Sequence, residues 1–196
     1  MQPFRLFAAT GSAVVRLDVD SVGRVKEATS LDGSGAQCVA VDPHDPNRVF
    51  VGTFDAGVYR TLDAGETWER ASHDLPHPRV LSIAISPARQ TNGLNAVYAG
   101  TEPSRLYRSD DNGASWVDSP ALPELPSAPS WSFPPRPWTS HVRWIAPHHD
   151  DPDRIYVGIE LGGVMRTTDG GVSWGDRKPN SYHDSHAVLT HRHAPG

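Results

Sequence analysis

Apolar residues along this chain come in short runs, each bounded by glycine, proline or charged residues, and no stretch carries the spacing of an amphipathic helix. Three pairs of runs match in register: "RVFVGTFDAGVYR" at 48–60, "AVYAGTEPSRLYR" at 96–108 and "RIYVGIELGGVMR" at 154–166. Each is two strands joined by a turn, the second ending in arginine, and Val, Ile, Tyr and Phe favour strand over helix. Another apolar run precedes each pair: "QCVAVDP", "VLSIAISP" and "VRWIAPH". A tryptophan after each pair opens a fourth strand, as in "TWERAS". The pattern predicts an all-β chain of four-stranded antiparallel units, with strands A to D in order.

Between strands C and D one turn recurs three times. It reads Thr61-x-Asp63-x-Gly65-x-Thr67-Trp68, then Ser109-x-Asp111-x-Gly113-x-Ser115-Trp116, then Thr167-x-Asp169-x-Gly171-x-Ser173-Trp174. The starts lie roughly 50 residues apart, the period of one propeller blade per repeat. In such a turn an aspartate accepts bonds from nearby backbone N–H groups, glycine supplies the backbone freedom, and tryptophan suits the interface between blades. The expected role of Asp63, Asp111 and Asp169, with Gly65, Gly113, Gly171, Trp68, Trp116 and Trp174, is structural.

This turn resembles the Asp-box, or bacterial neuraminidase repeat, of sialidases, sortilin-type receptors, xyloglucanases and photosystem assembly factors. The resemblance implies a β-propeller and a ligand site remote from the boxes. It is specific for fold and not for activity. "FRLF" at 4–7 resembles the Phe/Tyr-Arg-Ile-Pro motif of sialidases without its proline.

The blades expected are a degenerate unit at 1–36 lacking strand A, units at 37–79, 80–140 and 141–185, and the first strand of an interrupted blade at 186–196. That is a partial propeller of sixteen strands, read first as a fragment of a longer one. Closure as four blades, or pairing with a second copy, is the alternative.

The chain has 196 residues, a net charge of −5 and one cysteine, Cys38. These features give no basic field for nucleic acid, no apolar run of membrane length, no signal peptide and no internal disulfide. They suggest a cytoplasmic protein that needs no cofactor.

Function is expected at the end opposite the boxes, where the B–C and D–A loops meet. The loop at 118–141 is far longer than an ordinary connection. It carries Trp131, Arg136 and Trp138, rings for sugar faces and a cation for carboxylates. Aligned by their prolines, His141 and His186 take the place of Gln37 and Leu81 at the start of the innermost strand. With Arg143, Trp144 and His183 they outline a pocket at the channel mouth. A metal is not expected, because alternate strand residues face opposite ways. The B–C loops add Asp55, Glu102 and Glu160 to this face; glycoside hydrolysis needs two carboxylates, and Glu160 and Asp184 are the first candidates. Two functions stay open: a glycan-binding, glycoside-hydrolase-like propeller, or a non-catalytic scaffold that binds a protein ligand.

Overall fold

The computed structural model describes residues 1–134, 136 and 139–191; Trp138 and residues 192–196 lie outside them. The chain forms four antiparallel sheets in sequence order, an all-β partial propeller. The first sheet is β1 (Phe4–Ala9), β2 (Val14–Val19) and β3 (Val25–Ser30). The second is β4 (Ala36–Val41), β5 (Val49–Thr53), β6 (Val58–Thr61) and β7 (Glu69–Arg70). The third is β8 (Val80–Thr91), β9 (Leu94–Thr101), β10 (Leu106–Ser109) and β11 (Val117–Asp118). The fourth is β12 (Val142–Pro147), β13 (Ile155–Ile159) and β14 (Gly163–Thr167).

The outermost strands are shorter than the pattern suggests. β7 and β11 hold two residues each, and in the fourth blade strand D shrinks to a single bridge between Arg166 and Gly175. No strand forms over 183–191, where the interrupted blade was expected to start. That stretch nevertheless lies over the fourth blade. Ser185 covers Gly158 as Val80 covers Gly52 and Val142 covers Gly100.

Apolar cores sit between sheets. One cluster joins the first two blades through Val14, Ala36 and Val51, with Phe7 and Trp68 packed on it. A second joins blades two and three around Phe50, Val58, Tyr107 and Trp116; a third joins three and four around Tyr98, Leu106, Met165 and Trp174. A single blade has no such core, so burial between neighbours is what stabilises each.

The repeated turn explains how the blades register. In each copy the opening hydroxyl donates to the aspartate: Thr61 at 2.6 Å, Ser109 at 2.8 Å and Thr167 at 2.7 Å. The same hydroxyl accepts from the glycine N–H of Gly65, Gly113 and Gly171 at 2.9, 2.7 and 3.0 Å. The aspartate accepts in turn from the N–H of Thr67, Ser115 and Ser173, each at 2.9 Å. Hydrogen bonds from Thr61 and Thr67 hold the Asp63 carboxyl well below its ordinary pKa; those from Ser173 and Thr167 do the same for Asp169. Two successive residues take the left-handed conformation: Ala64 and Gly65 at φ 61° and 86°, Asn112 and Gly113 at 64° and 81°. Glycine is needed second, because a Cβ on Gly65 would stand 2.9 Å from the Phe7 ring and one on Gly113 2.9 Å from Ala71.

This geometry turns a carbonyl toward the preceding blade. Arg16 Nη1 donates to Ala64 O at 3.0 Å, Arg60 Nη1 to Asn112 O, and Arg108 Nη1 to Gly170 O at 3.4 Å. The tryptophan completes the junction in two copies: Trp116 Nε1 donates to Ala71 O at 2.8 Å and Trp174 Nε1 to Ser119 Oγ at 2.9 Å. Trp68 instead meets Phe7 edge to face. Replacing Asp111 by Ala removes the acceptor of three bonds in one turn. We expect a loss of about 1–2 kcal/mol, a melting temperature lower by roughly 2–8 °C, and unchanged ligand affinity; a selective loss of binding would contradict the structural role.

Candidate functional site

The other end is built from the loops after β1, β5, β9 and β13 and those that lead into β4, β8 and β12. Strand pairing gives the equivalences. Ala36 pairs with Thr53, Val80 with Thr101 and Val142 with Ile159, and a bulge follows each pair. Gln37, Leu81 and Arg143 therefore share the bulge position. The proline alignment that put His141 there slips by two residues, because Pro147 pairs at the register of Val41 and Ile85 and not of Pro43 and Pro87. His141 instead matches Arg79 and Gly35, while Phe54, Glu102 and Glu160 match one another.

The same two positions thus carry Gly35 and Phe54 in the second blade, Arg79 and Glu102 in the third, and His141 and Glu160 in the fourth. The last two pairs are in contact: Arg79 Nη1 reaches Glu102 at 2.7 Å and His141 Nε2 reaches Glu160 at 3.0 Å. Further contacts link them into a ladder across the mouth. Asp55 lies 3.1 Å from Arg79, Glu102 4.0 Å from His141 Nδ1, and Glu160 3.8 Å from Arg143. Arg136 joins from the long loop, 2.7 Å from the second oxygen of Glu102. Phe54 lies under Arg79, and Phe133 stands edge-on to His141. Glu102, expected on this face with Asp55 and Glu160, is central to the ladder. Arg79 is central too and was not expected; its signal was the periodic position shared with His141.

His141 is almost fully buried between two carboxylates. Burial pushes its pKa below the usual histidine value, although Glu160 and Glu102 pull the other way. The ring is neutral at pH 7. With its one N–H on Nε2 toward Glu160, Nδ1 is left buried without a hydrogen-bond partner.

The remaining expected residues divide. Arg143 and Trp144 line a cleft of about 380 Å³ on the inner surface of the blades, shared with Gln37, Leu81, Ile83 and His186. Trp144 is exposed there. Asp184 is exposed and pairs with His186 at 2.9 Å, with no bond to Glu160 among the described residues. His183 is exposed. Trp131 departs from expectation: it is only 7% exposed, in the core cluster of blades three and four, and its Nε1 donates to Ser127 Oγ at 2.9 Å. It pins the long loop and offers no face to a ligand. Leu122 and Leu125 are buried in the same cluster, and Ser127 is held by Asp176.

No protein-family model matches the chain. It is 27% identical over 172 residues to the xyloglucanase Xgh74A of Acetivibrio thermocellus, covering 71% of this chain and 19% of that protein. It is 26% identical over 186 residues to a xyloglucanase of Paenibacillus, covering 80% of this chain and 18% of the relative. The chain spans about a fifth of the length of these curated relatives. Among solved structures, the GH74 xyloglucanase of Xanthomonas campestris superposes with a TM-score of 0.60 at 20% identity, over 91% of this chain and 32% of that one. YCF48 bound to D1 peptide superposes at 0.51 and 22% identity, over 72% and 39%. Fold and likeness together define a repeat β-propeller. Its curated relatives are xyloglucanases, so the likeness is to glycoside-hydrolase propellers.

Because His141 is buried neutral, it binds a proton less readily folded than unfolded. Stability should therefore be full above the unfolded value near 6.5 and fall as pH drops below it. Unfolding free energies by urea at pH 7 and pH 5 should drop more in the native chain than in His141→Gln. An equal drop in both would show that His141 is not held neutral.

Proposed function

We propose that the chain is an Asp-box propeller unit of glycoside-hydrolase type, whose end opposite the boxes binds a glycan. The matching bonds at three turns support the Asp-box reading. The observation that carries the glycan reading is exposed Trp144 lining the inner cleft together with Arg143, which itself lies 3.8 Å from Glu160 of the charge ladder. A flat indole suits the C–H face of a sugar, and alternating acids and bases suit its hydroxyls. The xyloglucanase relatives make xyloglucan the first glycan to test.

Glu160 is the first choice for moving a proton. Its side chain is 16% exposed and backed by His141, which fixes its orientation. Asp184, 59% exposed, is the second carboxylate. Relatives about five times longer make binding, and not turnover, the property to measure first.

Titration of xyloglucan oligosaccharides, followed by tryptophan fluorescence and calorimetry, should show saturable binding. Trp144→Ala should weaken it about tenfold, the equivalent of about 1.4 kcal/mol. No binding, or binding indifferent to Trp144→Ala and Arg143→Ala, removes the glycan reading and leaves a protein-binding scaffold. If turnover is present, Glu160→Gln and Asp184→Asn should abolish it; unchanged rates in both would remove them as catalysts.

A further inference from the structure

The long loop brings two side chains to His141. Arg136 N–H donates to the Phe133 carbonyl at 2.7 Å, so both side chains arrive at one place. The Phe133 ring stands edge-on to the imidazole, 5.0 Å between centroids, and the Arg136 guanidinium lies over that ring at 5.1 Å. Arg136, expected to meet a ligand carboxylate, is instead committed within the chain: its Nη2 donates to Glu102 Oε2 at 2.7 Å. That same oxygen faces His141 Nδ1 across 4.0 Å, a gap too long for a hydrogen bond. Glu102 has no other oxygen to offer, because Oε1 takes Arg79 Nη1 at 2.7 Å. The side chains of Glu102 and His141 are 4% and 3% exposed, so the pair has little contact with solvent. On the far side of the ring, Nε2 meets Glu160 at 3.0 Å, with Arg143 3.8 Å from the same carboxylate; Asp55 reaches Arg79 only. One carboxylate oxygen is thus contested by a guanidinium and an imidazole, and the guanidinium holds it.

We propose that Arg136 is a positioning residue: by occupying Glu102 Oε2 it keeps a proton off His141 Nδ1, and so keeps Glu160 able to give and take one. Without Arg136 that oxygen is free to accept from the imidazole, which then takes up a proton on Nδ1 and becomes a cation between two carboxylates. A cation at 3.0 Å would hold Glu160 ionised, unable to donate. The neutral ring donates one bond through Nε2 and leaves the carboxylate free to gain a proton. The consequence for Glu160 rests on the glycoside-hydrolase reading. The state of His141 does not, because the contest for Glu102 exists without any ligand.

The test follows the ring nitrogens of His141 by NMR between about pH 8 and pH 5 in the full chain, with His141→Gln to assign the signals. In the native chain the ring should stay neutral, with its proton on Nε2, until the pH falls below about 6.5. In Arg136→Met the midpoint should rise by about one pH unit, roughly a tenfold gain in proton affinity. Arg136→Lys keeps a cation on Oε2 and should titrate as the native chain does. In the Glu102→Gln background Arg136→Met should move the midpoint by less than about a third of that amount, since the contested carboxylate is gone. A midpoint unmoved by Arg136→Met would overturn the proposal. So would a shift just as large in the Glu102→Gln background, because Arg136 would then act by repulsion across space and not through the shared oxygen. A native ring already carrying both protons at neutral pH would overturn it as well. None of these readings needs a glycan, so they hold or fail separately from the glycan reading.

Discussion

Everything in this fold depends on one long-range hydrogen bond made three times: an arginine on the strand next to one blade's outermost strand, donating to the turn carbonyl of the next. The bond needs the carbonyl to face backward, which two successive left-handed residues achieve. Those residues stay left-handed because an aspartate and a hydroxyl satisfy the turn's N–H groups from inside. The aspartate therefore acts at a distance. It shapes a carbonyl, the carbonyl holds an arginine, and the arginine sets how closely two sheets pack. Glycine is required where the turn touches the neighbour, since a methyl group there would meet Phe7 or Ala71.

Fixing the blades at one end leaves the other free for chemistry. Two equivalent positions, just before the inner strand and just after the second, hold Gly35 and Phe54, then Arg79 and Glu102, then His141 and Glu160. Nothing in the sheet pairing constrains their side chains, so consecutive blades can place opposite charges side by side. The result is a ladder of acids and bases around the mouth, with one neutral imidazole in its middle. A neutral histidine between two carboxylates can pass a proton or hold one carboxylate in place without adding net charge.

Much of this was legible in the chain. Runs of Val, Ile, Tyr and Phe gave the strands, and the repeated turn gave the blade order, because both signals are local. Arg60 and Arg108, which close two of the runs, were visible too, but their partners lie 52 and 62 residues away and are backbone carbonyls, which no side-chain motif reveals. Short outer strands escaped because two residues carry no periodicity. The site was half legible. Glu160, His141, Arg136 and Arg143 do meet, whereas Trp131 is buried and Asp184 turns to His186. Proline proved a poor ruler: Pro43 lies two residues past β4, Pro87 falls within β8, and Pro147 is the last, paired residue of β12. Aligning on the bulge at Gln37, Leu81 and Arg143 would have brought Arg79 into view beside Glu102.

The most direct test of the account is a double-mutant cycle on stability between Arg60→Met and Asp111→Ala, residues of adjacent blades. If the aspartate acts by aiming the Asn112 carbonyl at Arg60, the two losses should fall short of their sum by about 0.5–1.5 kcal/mol. The same arginine change combined with Asp169→Ala, at the next junction, should be additive. Additivity in both pairs would mean that turn and arginine stabilise the blades separately, and the account of the junction would be wrong.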